Sequence, residues 1–215
     1  MIEIRDLAAR NLRVPSLALP PGVTAVIGLN GAGKTTLLEV CCGLLLPAAG
    51  TVLVDGCVPR ETDAGWVSAS PDRSLLFSRV ADELASSGRF AGLPPQAVDR
   101  RVLHAARLTG AAALLDRSTR TLSGGEQSVV ALAAGLAGGP TVLALDEFDG
   151  HLDRETLAGL VPVVRSAGAR YVLWSTHDPA IAAGADHAIA LEEGTVVAEG
   201  GAALSLFDRW EGGAA

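Results

Sequence analysis

The chain has 215 residues, of which 49% are apolar and only 4% aromatic, so it can bury a sizeable aliphatic core within one domain. Its formal net charge of −7 argues against broad electrostatic binding to nucleic acid or to anionic lipid. The three cysteines are odd in number and Cys41 adjoins Cys42, which favours reduced core thiols in the cytoplasm over a disulfide framework or a metal site.

Short apolar runs rich in β-branched residues alternate with helix-like stretches along the chain. The predicted strands are VTAVIG (23–28), TVLVDG (51–56), GWVSA (65–69), TVLALDE (141–147), YVLWSTHD (171–178), HAIAL and GTVVAEG. Helices are predicted for KTTLLEVCCGLLL, for about 153–166 and for about 203–210. Continuous apolar strands separated by helices predict an α/β fold with a mostly parallel sheet core, flanked by helices and completed by an antiparallel β edge.

Between residues 80 and 121 the pattern changes to helices alone. Pro94 and Pro95 stand where a helix begins, and arginines fall on faces predicted to be exposed. We therefore expect one domain over residues 1–215, in which a helical subdomain of about residues 80–124 is inserted between a core of 1–79 and 125–215.

An uncharged stretch of 19 residues, 127–145, approaches the length of a membrane span. Gly138, Gly139 and Pro140 interrupt it, and residues of these types end a helix and open a turn. The stretch is therefore predicted to be an apolar helix followed by a buried strand.

The segment GLNGAGKTT matches the phosphate-binding loop pattern, between a buried strand and an amphipathic helix. Its glycines let backbone N–H groups surround an anion at a helix N-terminus. Lys34 is the only lysine of the chain, and its compact ammonium suits a position between β- and γ-phosphates better than a planar guanidinium does. The predicted nucleotide-binding residues are Gly28, Leu29, Asn30, Gly31, Ala32, Gly33, Lys34, Thr35 and Thr36.

Polar residues follow two of the predicted buried strands. Asp146 is expected to hold Mg²⁺ together with the hydroxyl of Thr35, and Glu147 to orient and deprotonate the attacking water. His177 is expected to hold the geometry of the water, the carboxylate and the γ-phosphate. Taken alone, a histidine that caps a strand–helix turn with Asp178 would be an equally good interpretation.

The hexapeptide LSGGEQ, residues 122–127, resembles the signature motif of ATP-binding cassette (ABC) transporter ATPases. The motif order is similar as well: phosphate loop, helical stretch, LSGGEQ, TVLALDE, then GHLD as the D-loop and STHD as the switch. The resemblance covers about residues 2–207. It implies a P-loop NTPase fold with a RecA-like core, an ATPase activity with catalytic residues Lys34, Glu147 and His177, and the cofactors ATP and Mg²⁺.

The resemblance also implies partners and a location. Such ATPases form head-to-tail dimers in which the signature segment of one subunit closes over the ATP of the other, here through Ser123, Gly124, Gly125 and Glu126. Two ATP molecules held in this way drive transport by separate transmembrane subunits. The chain is then expected to be cytoplasmic, peripheral on the inner face of the cell membrane, with no nucleic acid as partner. The segment SPDRSLLFSRVADEL looks most like energy-coupling-factor and cobalt-type importer ATPases.

Several positions depart from the family pattern. Ala69 stands where a glutamine normally touches Mg²⁺ and relays the nucleotide state, and residues 10–13 lack the adenine-stacking aromatic, although an arginine can stack there instead. Phe148 replaces a proline in the D-loop, where Asp153 remains. The other replaced positions are Gly150, His151, Ser128 and Val129.

Three interpretations stay open on these grounds. The chain is an active subunit of a homodimer or heterodimer, a partly degenerate regulatory subunit of a heterodimer, or a soluble ABC-type ATPase that acts as a conformational switch. Intact Lys34, Asp146, Glu147 and His177 favour an active ATPase. The transported substrate and the direction of transport are not encoded in this subunit's motifs.

Overall fold

The computed structural model describes residues 1–212, with side chains described except at positions 72, 73, 151, 211 and 212. The strands are β1 Ile2–Ala9, β2 Leu12–Leu19, β3 Gly22–Gly28, β4 Ala49–Val54, β5 Ala64–Val67, β6 Val142–Asp146, β7 Tyr171–Ser175, β8 His187–Glu192 and β9 Thr195–Glu199. The helices are α1 Lys34–Cys41, α2 Pro71–Ser74, α3 Val80–Phe90, α4 Pro95–Thr109, α5 Gly124–Ala137, α6 Arg154–Ser166, α7 Pro179–Gly184 and α8 Gly201–Gly212. Short 3₁₀ turns lie at Pro59–Glu61, Ala111–Leu114, Thr119–Thr121 and Phe148–His151.

The main sheet has six strands in the order β5-β6-β7-β3-β8-β9. All neighbours are parallel except β8 and β9, so the predicted mostly parallel sheet with an antiparallel edge is confirmed. Every residue of β6 and of β7 is buried, because helices cover the sheet on both faces. The carboxyl ends of β3, β6 and β7 therefore meet at one edge of the sheet, which is where ligands bind in open α/β sheets.

A second sheet has three antiparallel strands in the order β2-β1-β4. TVLVDG, predicted as a strand, forms most of β4, which pairs with β1 in this second sheet and not with a strand of the main sheet. The strands β1 and β2 were not predicted. Asp6 has a positive φ of 50°, and the pairing of β1 with β4 shifts register between Arg5 and Ala8, so the bulge interrupts the two-residue alternation that signals a strand.

Helix α1 is buried between the two sheets. Leu37 and Leu38 are fully buried there in a core shared with both sheets. The helix was predicted to run on through CCGLLL, but it ends at Cys41, and Gly43 takes a positive φ of 71° close against Arg60. Past this point Leu45 packs against the same core, whereas Leu44 and Leu46 are exposed, so the apolar pattern there does not mark a helix.

The thiols divide into two kinds. Cys41 and Cys42 are buried, and burial raises the pKa of Cys42 to about 12, so this thiol stays protonated and unreactive. The prediction that all three cysteines lie in the core was wrong for Cys57, which is exposed.

The segment between β5 and β6 is helical. Helices α3, α4 and α5 pack together, and their inward faces form one core with Leu143 and Leu145 of β6. The uncharged stretch is α5 followed by β6, as predicted. Within residues 1–212, no helix combines the length and the apolar character that crossing a membrane needs.

Candidate functional site

The phosphate loop runs from the end of β3 to the start of α1. Gly28, Gly31 and Gly33 have positive φ values of 154°, 81° and 104°. A Cβ at Gly28 would lie 2.4 Å from the carbonyl oxygen of Leu191 in β8, so glycine is required there for both space and conformation. The loop is therefore set by close contact with the neighbouring strand, and its backbone opens toward solvent.

Lys34, at the first position of α1, lies beneath this loop with 5% of its surface exposed. Its Nζ donates to the carbonyl oxygen of Gly28 at 2.8 Å and lies 3.1 Å from Oε1 of Glu147. The same Nζ is 3.1 Å from Nε2 of His177. The three residues predicted to be catalytic thus meet at one ammonium group, although β3, β6 and β7 bring them from distant parts of the sequence.

Glu147 follows β6 in the left-handed region, with φ 49°. Its backbone N–H donates to Oγ of Ser175 at 2.9 Å, which holds this strained turn against β7. Partial burial of the carboxyl opposes its ionisation, but the hydrogen bonds and charges of Lys34 and His177 outweigh burial and hold the pKa of Glu147 below its usual value. While Lys34 is this close, the carboxylate is a weak proton acceptor.

Asp146, at the end of β6, is buried and receives two hydroxyl groups. Thr35 Oγ1 donates to Oδ2 of Asp146 at 2.9 Å, and Ser175 Oγ donates to Oδ1 at 2.7 Å. A carboxylate beside a hydroxyl at the mouth of the phosphate loop is a donor set that suits Mg²⁺, which takes few protein oxygens and completes its shell with phosphate and water. The described part of the chain contains no group of three or more His, Cys, Asp or Glu residues that could hold a metal ion by themselves.

His177 is the second residue after β7, and its Nε2 lies between the ammonium of Lys34 and the carboxylate of Glu147. Nε2 is 3.1 Å from Lys34 Nζ and 3.2 Å from Glu147 Oε1. With the proton on Nδ1 the ring accepts from the ammonium, and with the proton on Nε2 it donates to the carboxylate. The capping role falls to Asp178 alone, whose Oδ1 accepts from the N–H groups of Ala180 and Ile181.

A cavity of about 220 Å³ opens above the loop. Its lining combines the phosphate loop with Glu147 and with Asn11, which sequence reasoning missed. Asn11 Nδ2 donates to the carbonyl oxygen of Gly31 at 2.9 Å. Arg10 pairs with Glu39, and Arg13 donates to the carbonyl oxygens of Arg10 and Leu12, so both arginines that can replace the aromatic are engaged elsewhere.

The signature segment begins α5. Ser123 Oγ accepts from the N–H of Glu126 at 3.3 Å, and the Glu126 carboxylate accepts from the N–H of Ser123 at 2.8 Å, which is a capping box. A Cβ at Gly124 or at Gly125 would meet no atom within 4 Å. Among the described residues, the segment contributes none of the lining of the cavity at Lys34, so the structure does not bring these two predicted parts of the site together.

The departures from the family pattern have local partners. Ser68 Oγ donates to the carbonyl oxygen of Ser70 at 3.1 Å around Ala69, which presents only a half-buried methyl group. Phe148 is buried, with its ring centroid 6.3 Å from that of Trp174. Ser128 is fully buried and donates to the carbonyl oxygen of Gly124.

Comparison with known proteins gives a consistent result. Residues 12–149 match the family model described as ABC transporter. The chain is 35% identical to the biotin transport ATP-binding protein BioM of Rhizobium etli over 89% of this chain and 87% of that protein. It is 34% identical to the energy-coupling factor transporter ATP-binding protein EcfA of Methanothermobacter thermautotrophicus over 93% of this chain and 70% of that protein.

A solved structure agrees along almost the full length. CbiO1 from Clostridium perfringens, described as part of the ABC transporter complex CbiONQ, aligns with a TM-score of 0.82 and 26% identity. The alignment covers 98% of this chain and 91% of CbiO1.

Proposed function

The chain belongs to the ABC transporter family and is the ATPase subunit of such a transporter, and on this premise we propose how its residues bind and hydrolyse ATP. The observation that carries the proposal is the meeting of Lys34, Glu147 and His177 beside the paired Thr35 and Asp146. Each group has the chemistry that phosphoryl transfer to water requires. The phosphate loop, residues 28–36, binds the phosphates through backbone N–H groups.

We propose that ATP rearranges the contacts of Lys34. In the described structure the ammonium is 3.1 Å from Glu147, where it holds down the basicity of the carboxylate. A γ-phosphate offers the ammonium a stronger anionic partner, which leaves Glu147 to accept a proton from water and His177 to hold the water and the carboxylate in line. Thr35 and Asp146 hold Mg²⁺, which supplies charge neutralisation on the phosphate oxygens.

We further propose that the hydrolytic site is composite. Residues 122–127 lie outside the cavity at Lys34, and the open space around the exposed Gly124 and the half-buried Gly125 leaves the helix N-terminus free for an anion. A second ABC subunit, identical or related, then binds so that Ser123, Gly124, Gly125 and Glu126 close over its ATP. In this arrangement residues 1–79 and 125–215 form the nucleotide-binding core, and about 80–124 the helical subdomain.

The subunit works with separate membrane subunits. We propose that it is peripheral on the cytoplasmic face of the cell membrane and that the transporter is of the energy-coupling-factor type, because relatives bearing that name cover most of this chain. The half-buried methyl group of Ala69 offers neither donor nor acceptor, so the relay of the nucleotide state to those membrane subunits uses other groups at this position.

Glu147→Gln tests the proposed chemistry. The amide keeps the size of the side chain but cannot accept the proton of the attacking water, so we expect turnover to fall about 1,000-fold while ATP binding is retained. Size-exclusion chromatography with Mg-ATP should show an ATP-dependent dimer. Asp116→Asn, at an exposed carboxylate of the helical insertion, is the matched control and should leave both properties unchanged. Unchanged turnover in Glu147→Gln would refute the assigned role.

A further inference from the structure

We infer that Asp149 is a positioning residue for the hydrolytic reaction, because it ties the loop that carries Glu147 to the segment that carries His177. The inference rests on the proposed function for the roles of those two residues. Asp149 is not among the predicted site residues, and it does not line the cavity above the phosphate loop.

Both carboxylate oxygens of Asp149 are used toward β7. Oδ1 accepts from Nε1 of Trp174 at 2.9 Å, and Oδ2 accepts from Oγ1 of Thr176 at 2.7 Å. Thr176 Oγ1 accepts in turn from the N–H of Asp178 at 2.9 Å. We call these three hydrogen bonds the Asp149 clamp.

The clamp spans the two loops on which the reaction depends. Asp149 is two residues after Glu147, and Thr176 directly precedes His177. On the side nearer the sheet, Ser175 already holds the N–H of Glu147, so the clamp is a second attachment between the same two loops. Two separate attachments fix a loop against rotation as well as against displacement, and the 3.2 Å contact of Glu147 with His177 depends on both.

The clamp joins a half-buried acceptor, Asp149, to two buried donors. Thr176 has no exposed surface and Trp174 has 2%, so water does not compete for these donors. The buried ring of Phe148 packs against the same indole. Phe148, in place of the family's proline, therefore belongs to the cluster that holds Asp149, and the indole serves both as packing surface and as hydrogen-bond donor.

The first measurement follows the indole N–H of Trp174 in the full chain by ¹H–¹⁵N spectroscopy, with Trp174→Phe to assign the resonance. Asp149→Asn replaces one acceptor oxygen by a donor, so the two donors of the clamp can no longer both be satisfied. We expect the Trp174 resonance to shift and its solvent exchange to accelerate. Asp116→Asn is the control and should leave the resonance in place.

The second measurement separates kcat from KM for ATP. Asp149→Asn should lower kcat about 10-fold or more while KM changes less than about twofold, because the phosphate loop is untouched. Thr176→Ser keeps the hydroxyl and should retain most of kcat. Thr176→Val and Asp149→Ala each remove one member of the clamp and should lower kcat to a similar extent. In the double variant Asp149→Ala/Thr176→Val the losses should not add, because both remove one network.

The outcomes are distinct. An unshifted Trp174 resonance in Asp149→Asn, additive losses in the double variant, or a raised KM with unchanged kcat would each overturn the clamp. If the wild-type chain with its membrane partners binds ATP but shows no turnover, the proposed function fails instead. The resonance then still decides on the clamp.

Discussion

The phosphate loop and the signature segment are both glycine-rich starts of helices, yet they are built differently. At the phosphate loop, Gly28 is pressed against Leu191, and the charge of Lys34 is already paired inside the chain. At the signature segment, a Cβ at Gly124 or Gly125 would have no neighbour within 4 Å. The side chains of Ser123 and Glu126 accept from each other's backbone N–H groups, and Glu126 also accepts from Arg117. The phosphate loop is therefore fixed by contacts within the single chain, whereas the glycines of the signature segment have open space beside them.

Because the two segments are built differently, their glycines have different roles. Gly28 of the phosphate loop is required by the fold itself, because a side chain there would collide with the backbone of Leu191. Gly124 and Gly125 of the signature segment have open space around them in the single chain, and in the proposed composite site the partner's ATP fills that space. Substitutions in the two regions should therefore fail in different assays.

Among the substitutions that compare the two segments, Lys34→Arg should have the largest effect. The Nζ is buried between Gly28, Glu147 and His177, and a planar guanidinium cannot occupy that space with the same contacts. Although charge is conserved, we expect ATP turnover to fall at least about 100-fold. Arg10→Lys, at an exposed ion pair with Glu39, is the reciprocal control and should have no effect on turnover. Activity within about twofold of wild type would show that position 34 requires only a positive charge.

Paired alanine substitutions test the two kinds of glycine directly. Gly28→Ala places a Cβ 2.4 Å from the oxygen of Leu191 in a positive-φ conformation, so the free energy of unfolding should fall by about 2–4 kcal/mol. Gly125→Ala should leave that free energy within about 0.5 kcal/mol, while ATP-dependent dimerisation and turnover decrease. Denaturant unfolding and chromatography with Mg-ATP measure the two effects. Equal losses of stability in both variants would remove the distinction.

Ser123 allows a finer division between folding and function. Ser123→Ala removes the side-chain cap of α5 and should cost about 1 kcal/mol of stability. Ser123→Asp keeps a capping oxygen and should be as stable as wild type, but it places an anion where the partner's phosphate is expected, so turnover should be lost. A stable and fully active Ser123→Asp variant would contradict the composite site.

The smallest effect expected is on acid stability. The backbone N–H of Ser123, with help from Arg117, lowers the pKa of Glu126, and Lys34 with His177 lowers that of Glu147 against the effect of burial. Each lowered pKa contributes stability above the ordinary carboxyl pKa, and this contribution is lost as pH falls through the lowered value. Melting temperatures between about pH 5 and pH 3 should therefore fall less steeply in Glu126→Gln and in Glu147→Gln than in wild type. Parallel curves for all three proteins would contradict the assigned ion pairs.

Sequence patterns predicted the central sheet well because its strands are buried on both faces. Strands β3, β6 and β7 are near-continuous apolar runs, and tertiary structure adds nothing that contradicts such a pattern. Strand β1 of the antiparallel sheet was not predicted, because it is covered on one face, carries charges on the other and contains a bulge at Asp6. The positive φ of Asp6 interrupts the alternation of apolar and polar residues from which β1 could have been predicted.

The site was predictable to the extent that its chemistry is concentrated in short motifs. Lys34, Glu147 and His177 were predicted as one site, and the structure places them around one ammonium. Asn11 and Asp149 were missed, because each acts through a contact between distant segments that leaves no local pattern. Their residue types are common on protein surfaces, so only the folded arrangement distinguishes them.

The position of β3 between β7 and β8 in the main sheet also constrains the order of folding during synthesis on the ribosome. The antiparallel sheet is complete in sequence once Val54 has emerged, so it can form early in the nascent chain. β3 must wait for β7, through Gly22 and Tyr171, and then for β8, through Gly28 and Leu191. The phosphate loop precedes β7 and β8 in the chain, but its supporting strands are all present only after both have been synthesised. A ribosome that stalls before Tyr171 therefore exposes an unpaired apolar strand to chaperones and proteases.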